Sequence, residues 1–197
     1  MSDATESTPP GWYSRGYLPH FDSDETTQMV TFRLADSLPA HVLESWRREL
    51  RITGTRDPRL VRRIDAYIDS GHGECILRNP EAAQIVQNAL LHFDDQRYHL
   101  HAWVVMPNHV HALLTPMRDH RLAGILRSWK SYTAKCINQM LGGTGTLWQR
   151  EYFDRFIRDE RHYHDAIHYI HQNPVTARLC ALPEDWPFSS ARLSGCT

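Results

Sequence analysis

Two imidazoles, His109 and His111, stand two residues apart in the otherwise apolar run MPNHVHALL, residues 106–114. Successive strand side chains alternate faces, so on a strand both rings leave the same side with Cβ atoms roughly 7 Å apart. That spacing lets both imidazoles bind one metal ion; it equally suits a pair of hydrogen-bonded core histidines. A second polar group lies in the segment ERHYHDAIHYIHQN, residues 160–173. As a helix it collects Tyr163, Ala166, Ile167 and Ile170 into an apolar stripe and His162, Asp165, Tyr169, Gln172 and Asn173 on another face. Tyr169 and Asn173, four residues apart, then project together. Two readings fit them: a half-buried packing tyrosine with an asparagine helix cap, or a phenol nucleophile beside an amide oxygen that serves as third metal ligand.

The elements that must carry these groups follow from periodicity. Met29–Leu34 is rich in β-branched and aromatic residues and predicts a first strand. Pro39 starts a helix with Val42, Leu43, Trp46 and Leu50 at helical spacing. Residues 53–80 predict an insertion containing a short helix around 58–68 and a glycine-flanked loop histidine, His72. Asn79-Pro80-Glu81 starts a further helix bearing Ile85, Val86, Ala89, Leu90 and Phe93. His99–Met106 and His109–Leu114 predict a hairpin turned at Pro107-Asn108, with Val110, Ala112 and Leu114 holding the opposite strand face against the core. A long amphipathic helix is expected over 119–141, closed by Gly142-Gly143, then a strand or extended segment over 147–158. The last helix, 160–172, is expected to stop at Asn173-Pro174, because a residue before proline is pushed out of the α region. The order predicts an α+β fold: a ferredoxin-like βαββαβ core with an antiparallel sheet and an extra C-terminal helix bearing the nucleophile candidate.

A chain of 197 residues has room for one core. The division expected is a mobile leader, 1–14, a main domain, 15–175, and a C-terminal tail, 176–197, with an acidic run Asp22-Ser23-Asp24-Glu25 near its start. Net charge of −1 excludes a protein that is cationic as a whole, so any nucleic-acid surface must be local. Cys75, Cys136, Cys180 and Cys196 are scattered without a CxxC pair, which points away from a zinc cluster or disulfide framework and toward a reducing cytoplasm. Neither a membrane span nor a signal peptide is expected. Of the thirteen histidines, most fall in 99–120 and 162–171. His162, His164, His168 and His171 are expected on the surface, while His162 and Asp165 share the Tyr169 face and are candidates to assist it.

Four ordered motifs carry a resemblance: AWVVMPNHVH at 102–111, LWQREYFDRFIRDE at 147–160, YIHQNPV at 169–175 and WPFSS at 186–190. In this order they resemble the REP-associated tyrosine transposases, which are IS200-like enzymes of the HUH single-strand transposase superfamily. The resemblance runs from about Tyr17 to Ser190. It implies a ferredoxin-like fold, His109 and His111 as the metal-binding pair, Asn173 as third ligand, Tyr169 as nucleophile, and Mg²⁺ or Mn²⁺ as the ion. It also implies a substrate of single-stranded DNA with palindromic repeat hairpins, cleaved and rejoined through a 5'-phosphotyrosine. The chain departs from that pattern in its longer 53–80 segment and its histidine-rich last helix.

A DNA surface is expected over 118–161, where nine Lys/Arg stand against five Asp/Glu. The cationic candidates are Arg121, Arg127, Lys130, Lys135, Arg150, Arg155 and Arg158. Trp129, Tyr132, Trp148, Tyr152 and Phe153 are interleaved with them, and Trp148 is a candidate stacking platform. A salt-bridged helix with core aromatics is the structural alternative. Two rival functions exist: a domesticated, non-catalytic DNA-binding regulator of the same fold, and a His-x-His barrel hydrolase, which would need a larger chain with repeated βα units. A monomer is expected, with a dimer as the alternative.

Overall fold

The computed structural model describes residues 12–14, 19–21, 25–51 and 57–194. Two short strands, β1 (Trp12–Ser14) and β2 (Pro19–Phe21), pair antiparallel, so the expected leader ends in a strand and its first eleven residues lie outside the described part. Most of the acidic run, Asp22–Asp24, and Cys196 also lie outside it. The main sheet contains β3 (Gln28–Arg33), β4 (Tyr98–Val105), β5 (His109–Pro116) and β6 (Phe153–Phe156) in the order β4-β5-β3-β6, all antiparallel. The first and third strands of the βαββαβ unit are therefore central, which is the expected ferredoxin-like arrangement.

Alternation along the strands sorts the core into two faces. Val30, Phe32, Trp103, Val105, Val110, Ala112 and Leu114 face the crossover helices α3 (Pro80–Leu91) and α4 (Leu122–Leu141), where Val86, Leu90, Ile125, Leu126 and Trp129 meet them. The other face presents Ala102, Val104, Met106 and Leu113 to Ala166 and Ile170 of α5 (Glu160–Thr176). Helices α1 (Ala40–Glu49) and α2 (Pro58–Asp69) form a third cluster through Leu38, Leu60, Ile64 and Ile68, with Phe153 of β6 packed against it. Asp57 caps α2 by accepting from the Arg59 backbone, and Pro58 sets its first turn.

Three boundaries differ from expectation for physical reasons. Helix α4 begins at Leu122 because Asp119 sits at φ 69°, a left-handed conformation no helix interior adopts. The segment 147–158 is a strand only over Phe153–Phe156, joined to the sheet earlier by a single bridge between Leu34 and Trp148. Helix α5 does not stop at Asn173 but runs through Pro174 to Thr176. The proline removes one ladder bond, to Ile170, while the turn beyond is held by Ala177 N–H donating to Asn173 and Leu179 N–H to Pro174, and both side chains pack onto the Ala166 and Ile170 cluster.

The WPFSS motif proves to be a cover for the sheet edge. Val105 N–H donates to Phe188, Ser190 N–H donates to Trp103, and the Trp186 indole donates to the Val105 carbonyl at 3.0 Å. These contacts satisfy backbone groups of edge strand β4 that would otherwise be open to pairing.

Candidate active site

Strand β5 delivers His109 and His111 to the face covered by α5, and both are buried, at 1% and 2% exposure. Each ring is oriented by its Nδ1. The His109 Nδ1 lies 2.7 Å from Asn108 Oδ1, and His111 Nδ1 lies 2.7 Å from Thr31 Oγ1 on the neighbouring strand. The Asn108 amide orientation is set from its other end, since Nδ2 donates to the Ile68 and His72 carbonyls at 3.0 and 2.9 Å. Its Oδ1 can only accept, so His109 carries its proton on Nδ1 and keeps the Nε2 lone pair free. The two Nε2 atoms stand 3.0 Å apart. A neutral pair at this separation shares one proton or one cation.

Burial holds both imidazoles neutral. His109 is pushed well below the usual imidazole value by desolvation and by His111, and desolvation takes His111 down to about 3. Neutral rings are the form that ligates metals.

Helix α5 places Tyr169 and Asn173 over the pair. Asn173 is buried, its Nδ2 lies 3.4 Å from His111 Nε2, and its Oδ1 is buried without a hydrogen-bond partner. The Tyr169 ring stands edge-on to His111 at 5.3 Å between centroids, and the residue is 37% exposed. Burial, then the Asp69 and Asp65 carboxylates, raise its phenol well above the ordinary tyrosine value, and Arg155 acts in the opposite direction.

Those two carboxylates were not found from sequence. Asp69, the last residue of α2, puts Oδ1 3.4 Å from His109 Nε2. Among the described residues, Asp69, His109 and His111 are the group of three whose ligand atoms all lie within 4.8 Å of one another. Desolvation raises Asp69 to about 6, offset by a hydrogen bond from Asn173; desolvation and then Asp69 raise Asp65 to about 6, offset by Arg155. The residues fit a divalent cation: two converging imidazole nitrogens, an orphaned amide oxygen and a carboxylate oxygen with no hydrogen-bond partner.

The assisting candidates sit elsewhere. His162 accepts from the Arg158 backbone at 3.4 Å, and Asp165 lies 3.9 Å from Arg161 with its side chain mostly exposed. His171 is not on the surface but bonds Ser190 Oγ at 2.9 Å. Of the DNA candidates, Trp148 must be corrected: it is 4% exposed, its indole donates to Thr133 Oγ1, and it packs edge-on against Phe32. Trp129 is likewise core, bonded to the Tyr98 hydroxyl. Lys130 is spent on the Gln149 and Arg150 carbonyls. Arg121, Arg127, Lys135, Arg150, Arg155 and Arg158 are exposed, and Tyr132 is the exposed ring of the α4 surface.

The chain resembles the IS200-like transposases: residues 78–173, just under half of it, match the family model described as "Transposase IS200 like". That span contains His109, His111, Tyr169 and Asn173 and begins after α2. The chain is similar to the REP-associated tyrosine transposase of Escherichia coli (strain K12), with 30% identity over 110 residues covering 54% of this chain and 63% of the relative. A second curated relative, from Haemophilus influenzae, is 26% identical over 96 residues, 44% of this chain and 54% of its own. The matches thus span less than two thirds of either relative. The fold is shared with a solved REP-associated tyrosine transposase bound to a REP hairpin, at TM-score 0.55 and 22% identity over 90% of this chain and 81% of that one.

Proposed function

We propose that this protein is a metal-dependent tyrosine transposase that cleaves and rejoins single-stranded DNA at palindromic repeat hairpins. The observation that carries this reading is the convergence of four side chains from two elements: His109 and His111 from β5, Tyr169 and Asn173 from α5. The hairpin in the solved relative of the same fold supports the choice of substrate.

In the reaction, Tyr169 Oη attacks the scissile phosphorus as its proton leaves. The bond from phosphorus to the 3'-oxygen breaks, and that oxygen takes a proton to become a free 3'-OH. A 5'-phosphotyrosine remains, and because the phosphodiester energy is kept, the 3'-OH of another strand can reverse the step without ATP. His109, His111 and Asn173 would hold Mg²⁺ or Mn²⁺, which when bound supplies positive charge for a phosphate oxygen. Thr31 and Asn108 keep the imidazoles aimed. Arg155 is the protein cation whose charge favours the phenolate.

The test is incubation with a hairpin oligonucleotide carrying a single-stranded foot, plus Mg²⁺ or Mn²⁺, followed by a denaturing gel. A covalent adduct lost in Tyr169→Phe and His109→Ala supports the transposase. Tight binding with no adduct on any cognate repeat identifies the non-catalytic regulator instead.

A further inference from the structure

Helix α2 lies before the span that matches the family model, yet it ends against the histidine pair. One buried side chain bonds its end to the turn before the pair. Asn108, 1% exposed, donates to the Ile68 and His72 carbonyls at the end of α2 and accepts at Oδ1 from His109. Leu77 N–H donates to the Pro107 carbonyl, and Tyr67 stacks on His72 at 3.8 Å between centroids, which further fixes the turn after the helix. The turn before the first ligand histidine is therefore also the dock for the α2 terminus.

At that terminus Asp69 presents an oxygen to the site without a hydrogen-bond partner, 3.4 Å from His109 Nε2. Across from it the Asn173 Oδ1, on a side chain that is 3% exposed, is equally unpartnered. These two buried oxygens lie beside two buried imidazoles with the Asn173 amide as a donor group close to Asp69, and leaving them unbonded is costly unless a cation joins them. Two imidazoles and an amide form an uncharged donor set that suits zinc as well as any ion. A carboxylate adds the hard, anionic oxygen that Mg²⁺ and Mn²⁺ require.

We propose that Asp69 is a fourth protein ligand of the site, and that a bound divalent cation fastens the α1–α2 hairpin to the sheet through it. The inference rests on the metal-site part of the reading above and not on its DNA chemistry.

The experiment uses the full chain, stripped with a chelator, and Mn²⁺ alone as the probe, with free Mn²⁺ counted by electron paramagnetic resonance. Asp69→Asn, nearly the same shape, is expected to weaken Mn²⁺ binding by at least about 10-fold, the lower end of what even outer-shell partners of ligands cost. Asp65→Asn, which keeps the neighbouring Asp69, is expected to weaken it far less. Hydrogen exchange over residues 60–70 is expected to slow when Mn²⁺ is added to the wild type and to be unchanged by Mn²⁺ in Asp69→Asn; the metal-free exchange pattern of each variant reports whether it is folded. Equal Mn²⁺ affinity in Asp69→Asn and wild type overturns the proposal, as does a wild type that binds no Mn²⁺. If Asp69→Asn binds normally while the wild type still forms a DNA adduct, only this inference falls. If Mn²⁺ binding depends on Asp69 but no adduct ever forms, the transposase reading falls and this one stands.

Discussion

Asn108 and His109 are joined side chain to side chain at 2.7 Å, and the far end of the same Asn108 amide holds the carbonyls of Ile68 and His72. One residue thus sets the protonation of a candidate metal ligand and anchors a helix forty residues upstream in sequence. The turn between β4 and β5 is consequently a junction between the main sheet and the α1–α2 pair.

Asn108→Ala removes all of these bonds and leaves the His109 Nδ1–H without a partner, while the Ile68 carbonyl keeps the Gly71 N–H and the His72 carbonyl belongs to an exposed residue. One orphaned buried donor and the lost tie to α2 give an expected net loss of about 1–3 kcal/mol. Urea unfolding measures it, and a loss below about 0.5 kcal/mol would mean that α2 is held chiefly by its apolar cluster.

Asp65 predicts a pH-dependent stability difference in metal-free protein. Its folded value, raised to about 6 by burial and then Asp69, exceeds the unfolded carboxylate value near 4. The folded chain therefore binds the extra proton, and stability from this group is full below about pH 4 and is lost as pH rises through about 6. Asp65→Asn is expected to be more stable than wild type at pH 8 by about 1–2 kcal/mol, with the advantage gone at pH 4. Parallel urea titrations at the two pH values in chelator test this. His111 works in the opposite sense: with its folded value down near 3, its contribution is present above about pH 6.5 and lost as pH falls toward 3.

Trp148 and the exposed cations of α4 should separate stability from binding. Trp148→Ala opens a cavity beside Phe32 and orphans Thr133 Oγ1, for an expected loss of about 3–5 kcal/mol in unfolding free energy. The pair Arg127→Ala and Lys135→Ala is expected to leave the melting temperature unchanged and to reduce the slope of log affinity against log salt for hairpin DNA by about 2, one unit per phosphate contact. An unchanged slope would place the DNA on another face.

Much of the candidate site's geometry was legible because its parts are local. His109 and His111 need only a strand, and Tyr169 and Asn173 need only a helix, so alternation and a four-residue step suffice to pair them. Asp69 was not legible: a carboxylate at a helix end is ordinarily solvated, and only the docking through Asn108 brings it to His109. Trp148 was misread for a similar reason. Its mixed aromatic and cationic segment suits a DNA surface, and its burial depends on the bridge to Leu34 and on Thr133 of α4, contacts made across the fold. The passage of α5 through Pro174 likewise reflects packing of Ala177 and Leu179, which a local rule about the residue before proline does not include.

The most direct measurement is mass spectrometry of the protein after reaction with hairpin DNA and Mn²⁺, with nuclease trimming and proteolysis to locate the attached nucleotide. The account predicts a 5'-phosphonucleotide on Tyr169, absent from Tyr169→Phe and from His111→Ala. A nucleotide on any other residue, or cleavage of the DNA with no protein adduct, would contradict it.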